Sequence, residues 1–280
     1  MTVAPSETWT LPGQGGLQLF AQSWLPEGTP RDVVVIAHGY AEHGGRYGNV
    51  VNRLLPLGYA VHAIDHRGHG RSGGKRGIVD SFDAVVEDFH GFVAKVRGRH
   101  GGRKLKLIGH SMGGSVAFSY ALRYPQDLSG LVLSGPAVGG LIPPFQRLLV
   151  KLFSRLTPNR GVLDLPASAV SRDPAVVEAY VDDPLVTTGK VPARTVGELV
   201  GGASTYLERA PSMKVPVLIQ HGAGDILVPA DANQGVYAAI GAPDKTVTIY
   251  PSLYHEIYNE PEHPQVLDEL VAWLEAHPAD

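Results

Sequence analysis

Leu107-Ile108-Gly109-His110-Ser111-Met112-Gly113-Gly114 decides the fold. An apolar run ends at Gly109, a serine stands two residues on, and small and apolar residues continue to 124, stopping before Pro125. The form is strand, G-x-S-x-G, helix. A serine on so sharp a turn needs small residues two positions to either side, and Gly109 and Gly113 supply them. The same turn puts Ser111 at a helix N-terminus, where free N–H groups and the helix dipole favour developing negative charge.

Similar apolar runs stand on both sides of this stretch. Val33–Ala37 ends at His38-Gly39, Tyr59–Ile64 at Asp65, Leu131–Leu133 at Ser134-Gly135, Val217–Gln220 at His221-Gly222, and Thr246–Tyr250 at Pro251. Short continuous runs suit strands buried on both faces. Helical patterns alternate with them at 82–98, 112–124 and 262–277, so the chain reads as α/β with a mostly parallel central sheet flanked by helices. Leu17–Leu25 fits an antiparallel edge strand or a hairpin arm. The alternation breaks at about 137–210, which reads as an insertion over the sheet within a single 1–280 domain. There Phe145, Leu148, Leu149, Leu152, Phe153 and Leu156 form one apolar stripe, with Arg147, Lys151 and Arg155 on another face.

Composition removes several function classes. A net charge of −3 over 280 residues excludes a polybasic nucleic-acid binder. With 44% hydrophobic and 18% charged residues the chain is not disordered. The absence of cysteine excludes disulfides, zinc–thiolate sites and thiol nucleophiles. No signal-like N-terminus and no apolar run of ~20 residues is present, so a soluble, cytoplasmic protein is expected.

Two decoys share one loop. Gly70-Arg71-Ser72-Gly73-Gly74 also matches G-x-S-x-G, but Lys75-Arg76-Gly77 follows instead of a helix, so Ser72 reads as a loop serine. Gly68-His69-Gly70-Arg71-Ser72-Gly73 matches a dinucleotide fingerprint without opening a helix. His62, His66 and His69 lack any accompanying metal motif and read as satisfied histidines. No metal and no cofactor are expected.

A serine needs a base to remove its proton. In a doubly wound sheet the partners follow as acid, then histidine, past the carboxyl ends of later strands. Asp225 stands four residues after His221, and His255 follows the strand ending at Tyr250. Alone, each is an ordinary turn residue; in this order with Ser111 they complete a catalytic set. Asp231, at a helix start, and Asp244, before a strand, are misplaced. His221 precedes Asp225, and His263 opens the last helix. An oxyanion hole needs two backbone N–H donors: Met112 follows the nucleophile, and Tyr40 follows the tight turn at Gly39.

The chain resembles α/β-hydrolases of the monoacylglycerol lipase type. The resemblance rests on His38-Gly39-Tyr40-Ala41-Glu42-His43-Gly44-Gly45-Arg46-Tyr47, Asp65-His66-Arg67-Gly68-His69-Gly70-Arg71-Ser72 and Gly109-His110-Ser111-Met112-Gly113-Gly114. It continues through Ser171-Arg172-Asp173-Pro174, Asp183-Pro184-Leu185-Val186, His221-Gly222-Ala223-Gly224-Asp225 and Tyr254-His255-Glu256. It implies a serine esterase cleaving monoacylglycerol to glycerol and fatty acid, with Ser111, Asp225 and His255 as triad and Tyr40 and Met112 as oxyanion donors. It makes the insertion a cap over an acyl pocket. Relatives also act on lysophospholipids and short esters. Thr187-Thr188 departs from the family's His or Tyr near that point. Glu42 and Arg46, four apart, either hold the oxyanion loop or form a surface ion pair worth ~0–1 kcal/mol. Tyr180 either reaches a glycerol hydroxyl or simply folds the cap. For the helix around Leu152 the plain expectation is an apolar side packed on the domain; the sharper ones are an acyl tunnel or contact with a membrane surface.

Overall fold

The computed structural model describes residues 3–139 and 144–279, with side chains from 148 onward in the second span. The strands are β1 (Glu7–Pro12), β2 (Gln18–Trp24), β3 (Asp32–Ala37), β4 (Tyr59–Ile64), β5 (Leu105–His110), β6 (Leu128–Ser134), β7 (Gly161–Leu163), β8 (Val191–Pro192), β9 (Val217–Gly222) and β10 (Lys245–Tyr250). The helices are α1 (Gly48–Leu54), α2 (Phe82–Arg99), α3 (Met112–Arg123), α4 (Pro144–Leu156), α5 (Pro174–Asp182), α6 (Ala193–Ala203), α7 (Tyr206–Arg209), α8 (Ala230–Ala239) and α9 (His263–Ala276). The main sheet runs β1-β2-β4-β3-β5-β6-β9-β10. β2 is antiparallel to both β1 and β4, and the remaining pairs are parallel.

Strand periodicity explains the layers. In β3, Val33, Val35 and Ala37 enter the core beneath α2, α3 and α8, whereas Val34 and Ile36 enter the core beneath α1 and α9. Both faces are covered, which is why the strands read as unbroken apolar runs. Strand order reverses around β3, and the carboxyl ends of β3, β5, β9 and β10 therefore supply the loops around one crevice. Ser81 starts α2 by accepting a hydrogen bond from the Ala84 N–H.

β2 is a hairpin arm and not the sheet edge, since β1 covers it. β1 had no clear apolar signature: only Leu11 is fully buried there, and Trp9 lies half-buried against Phe92 with ring centres 5.7 Å apart.

Between β6 and β9 the chain leaves the sheet to form α4, the β7–β8 ribbon, α5, α6 and α7. Here the structure departs from the plain expectation for the amphipathic helix. α4 lies against α6 through its small-residue side: Ser154 is buried, and a Cβ on Gly197 would stand 2.6 Å from the Ser154 Cβ. From Leu148 onward the apolar stripe faces outward, with Leu148 at 68% and Leu156 at 70% exposure and Leu149, Leu152 and Phe153 exposed between them; the side chains of Phe145 and Arg147 lie outside the described residues. Close backbone approach of α4 to α6 thus takes precedence over burying the leucines. Among the described residues no helix is long and apolar enough to cross a membrane.

Candidate active site

Ser111 bridges β5 and α3 with φ 54° and ψ −119°. Among the described residues only Ser111 and Ala41 combine a side chain with a left-handed φ, and both stand at this crevice. Such backbone costs on the order of 1–3 kcal/mol and persists only where its surroundings enforce it. The Ser111 N–H donates to the Ser134 carbonyl, and the Ser111 carbonyl accepts from the Gly114, Ser115 and Ala137 N–H groups. The glycines are demanded sterically. A Cβ on Gly113 would fall 2.0 Å from the Ala37 carbonyl oxygen, and one on Gly109 would fall 2.5 Å from both the Ala117 Cβ and the Gly113 carbonyl oxygen.

The loop after β3 abuts this turn: a Cβ on Gly39 would lie 3.2 Å from the Ser111 Cβ. Glu42 grips the loop from beneath, its Oε1 accepting from the Gly39 N–H at 2.6 Å and from the Tyr47 hydroxyl at 2.8 Å. Beside it, the Tyr40 N–H and the Met112 N–H have no protein acceptor among the described residues. For Met112 this follows from its place in the first helical turn.

Asp225 follows β9 and His255 follows β10. His255 Nδ1 is 2.6 Å from Asp225 Oδ2, and Asp225 Oδ1 accepts from the Leu227 and Val228 N–H groups at 2.9 Å each. Burial alone would raise the Asp225 carboxyl, but hydrogen bonds from His221 and then His255 outweigh it and hold the group well below the usual carboxylate range. A carboxylate fixed at Nδ1 makes that nitrogen the donor and leaves Nε2 to accept a proton. Ser111, His255 and Tyr40 line one cavity of about 480 Å³, mouth included, together with Leu165, Val170 and Tyr180 of the insertion.

Glu42 is buried at 4% exposure and the Arg46 side chain is only 9% exposed, so the pair does not stand out in solvent as a surface ion pair would. Arg46 Nη2 donates to both Glu256 oxygens at 3.0 and 2.7 Å, its Nε stands 3.4 Å from Glu42 Oε2, and its guanidinium lies 4.7 Å from the Tyr180 ring centre. Burial first and Glu256 second raise the Glu42 carboxyl, against the opposing pull of Arg46. Glu256 carries no sequence signal of this contact, because its partner lies 210 positions away. The insertion is also tied to the loop: His43 Nε2 meets Asp183 Oδ2 at 2.9 Å, and the Thr187 N–H donates to the Ala41 carbonyl at 2.7 Å.

The decoys take structural places. The Ser72 hydroxyl donates to the Asp65 carbonyl and accepts from the Phe20 N–H. His62 bonds Ser23 and His100. His66 and His69 depart from the expectation of satisfied rings, since each leaves its Nε2 without a partner among the described residues. Burial, followed by the neighbouring imidazole, depresses His62 and His66 to about 3, and burial depresses His69 to about 4.

A serine held on a strained turn, a carboxylate-bound imidazole in the same cavity and two free N–H groups beside it form the kind of arrangement used in acyl transfer. Comparison with known proteins agrees. The family model described as "Serine aminopeptidase, S33" matches residues 28–262. The chain is 42% identical to a monoacylglycerol lipase of Mycolicibacterium smegmatis over 95% of both chains. It is 32% identical to a monoglyceride lipase of Homo sapiens, covering 92% of this chain and 87% of that one. The crystal structure of a Paleococcus ferrophilus monoacylglycerol lipase superposes with a TM-score of 0.81 at 31% identity, over 92% of this chain and 99% of the other. The chain belongs to the monoacylglycerol lipase-type α/β-hydrolases.

Proposed function

We propose that the protein hydrolyses monoacylglycerols to glycerol and a fatty acid through an acyl-enzyme on Ser111. The observation that carries this reading is the shared cavity of Ser111 and the Asp225-bound His255. Ser111 Oγ attacks the ester carbonyl while His255 Nε2 takes its proton. Asp225 orients the imidazole and stabilises its cation. The oxyanion rests on the Tyr40 and Met112 N–H groups. His255 then protonates the departing glycerol oxygen, and a water activated by the same ring releases the acid. Glu42 acts by fixing the Gly39 turn, and Arg46 by bridging Glu42 to Glu256, the residue after His255.

Residues 137–210 act as a cap. Leu165 and Val170, with Leu227 and Val228, offer an apolar wall to the acyl chain, each buried methylene contributing ~0.8 kcal/mol. Tyr180 stands at the polar side with Arg46. The test is a rate comparison across mono-, di- and triacylglycerols and a lysophospholipid of one chain length. The monoacylglycerol is expected to have the highest kcat/KM. Equal or higher values on the lysophospholipid would replace this reading with a broader carboxylesterase.

The outward stripe of α4 supports a contact between the cap and a membrane surface, with the exposed Lys151 and Arg155 beside it favouring anionic lipid. In vesicle flotation at low salt the protein is expected to rise with anionic vesicles, and a Leu152→Ser, Leu156→Ser variant to stay at the bottom. Absence of the parent protein from the floated fraction removes the membrane contact.

A further inference from the structure

Asp225 holds a second imidazole that the steps above do not use. His221, the fifth residue of β9, is fully buried. Its Nε2 lies 2.7 Å from the Val228 carbonyl oxygen and 3.2 Å from Asp225 Oδ2. Both neighbours only accept, so Nε2 carries a proton. Nδ1 lies 2.7 Å from the Tyr237 hydroxyl on α8, which in the neutral ring donates to it. A directed chain results: Tyr237 O–H to His221 Nδ1, then His221 Nε2–H to the Val228 carbonyl and Asp225.

We propose that His221, locked by Tyr237, is a positioning residue for the catalytic acid, sharing Asp225 Oδ2 with His255 and setting how much of the carboxylate charge His255 receives. The proposal rests on the Ser111–His255–Asp225 reading given above. Asp225 is then clamped on both oxygens. Leu227 and Val228 hold Oδ1, and the two imidazoles hold Oδ2. The carboxylate cannot turn away from His255 without breaking buried hydrogen bonds. Because His221 competes for Oδ2, it also limits how strongly Asp225 favours the His255 cation.

The other ionisable groups against these rings are His110, whose ring centre is 4.6 Å from that of His255, and Glu256, which is paired with Arg46. Both stay in place in the test. Tyr237→Phe removes one hydroxyl only. His221→Leu removes the donor to Asp225, and His221→Gln restores an amide N–H near the position of Nε2. Turnover is normalised to sites titrated with a fluorophosphonate, and kcat, KM and the pH profile of kcat/KM are measured on a soluble ester.

His221→Leu is expected to lower kcat about tenfold or more, as for loss of a hydrogen bond to a charged group, with KM little changed. The acid limb of kcat/KM should move to higher pH, because Asp225 then serves His255 alone. Tyr237→Phe should shift both readouts in the same direction by less, and His221→Gln should recover much of the His221→Leu loss. An unmoved acid limb in Tyr237→Phe, with kcat equal to the parent or falling only in step with the thermal midpoint, overturns the proposal, and so does a His221→Gln protein that turns over no faster than His221→Leu. Tyr237→Phe decides the matter if His221→Leu does not fold. Persistent turnover in Ser111→Ala would sink the serine-hydrolase reading itself, whereas a silent Tyr237→Phe in an enzyme that needs Ser111 sinks only the role of His221.

Discussion

Replacing Ser111 with alanine is expected to lower kcat by roughly four to six orders of magnitude, the scale on which loss of a triad nucleophile is felt. The fold should not change. The positive φ at 111 is imposed by hydrogen bonds of its backbone to Ser134, Gly114, Ser115 and Ala137, and alanine keeps all of them. The thermal midpoint should therefore match the parent's, while fluorophosphonate labelling disappears. The residual rate reports what the proposed Tyr40 and Met112 donors and substrate binding achieve without a nucleophile. Near-parental turnover by a folded Ser111→Ala protein would mean that the ester is attacked from elsewhere.

The second large effect is on stability in acid. His62, His66 and His69 are held at about 3, 3 and 4 when folded, against ~6.5 for an ordinary histidine. Below pH ~6.5 the unfolded chain takes up protons on these rings and the native one does not, so unfolding gains protons and stability falls as pH drops. At pH 5 each ring costs about 2 kcal/mol, and the three together about 6 kcal/mol. Burial raises the carboxyls of Glu42 and Asp65, which works in the opposite direction, because those groups protonate first in the folded state. Against a usual total of ~5–15 kcal/mol a loss of that order is large, and the unfolding free energy should fall steeply between pH 7.5 and pH 5. Denaturant melts at pH 7.5, 6 and 5 check this; an unfolding free energy that stays level across that range contradicts it.

The strands and their order of chemistry were legible because a doubly covered parallel sheet writes itself as unbroken apolar runs, and because a nucleophile turn needs glycine where a Cβ would strike the Ala37 carbonyl. The positions of Ser111, Asp225 and His255 relative to strand ends followed from the same logic. β1 was hidden because an edge strand with one fully buried side chain resembles a loop. The outward turn of α4 was hidden for a different reason: an apolar stripe in sequence shows which residues share a face, and only the Ser154–Gly197 contact shows which face meets the neighbouring helix. Contacts such as Arg46 with Glu256, or His221 with Tyr237, depend on which loops the fold brings together, and spacing along the chain carries no trace of them.

The two ties from residues 183 and 187 to the stretch around Ala41 mean that the segment above the crevice and the Gly39–Ala41 turn below it are mechanically coupled. A chimera that swaps this segment for that of a relative inherits more than a new pocket wall. Unless the graft supplies a carboxylate for His43 and an amide for the Ala41 carbonyl, it also loosens the peptide whose N–H is proposed to meet the substrate's oxygen. Specificity engineering in this protein is therefore bound to turnover, and the two cannot be tuned as separate parts.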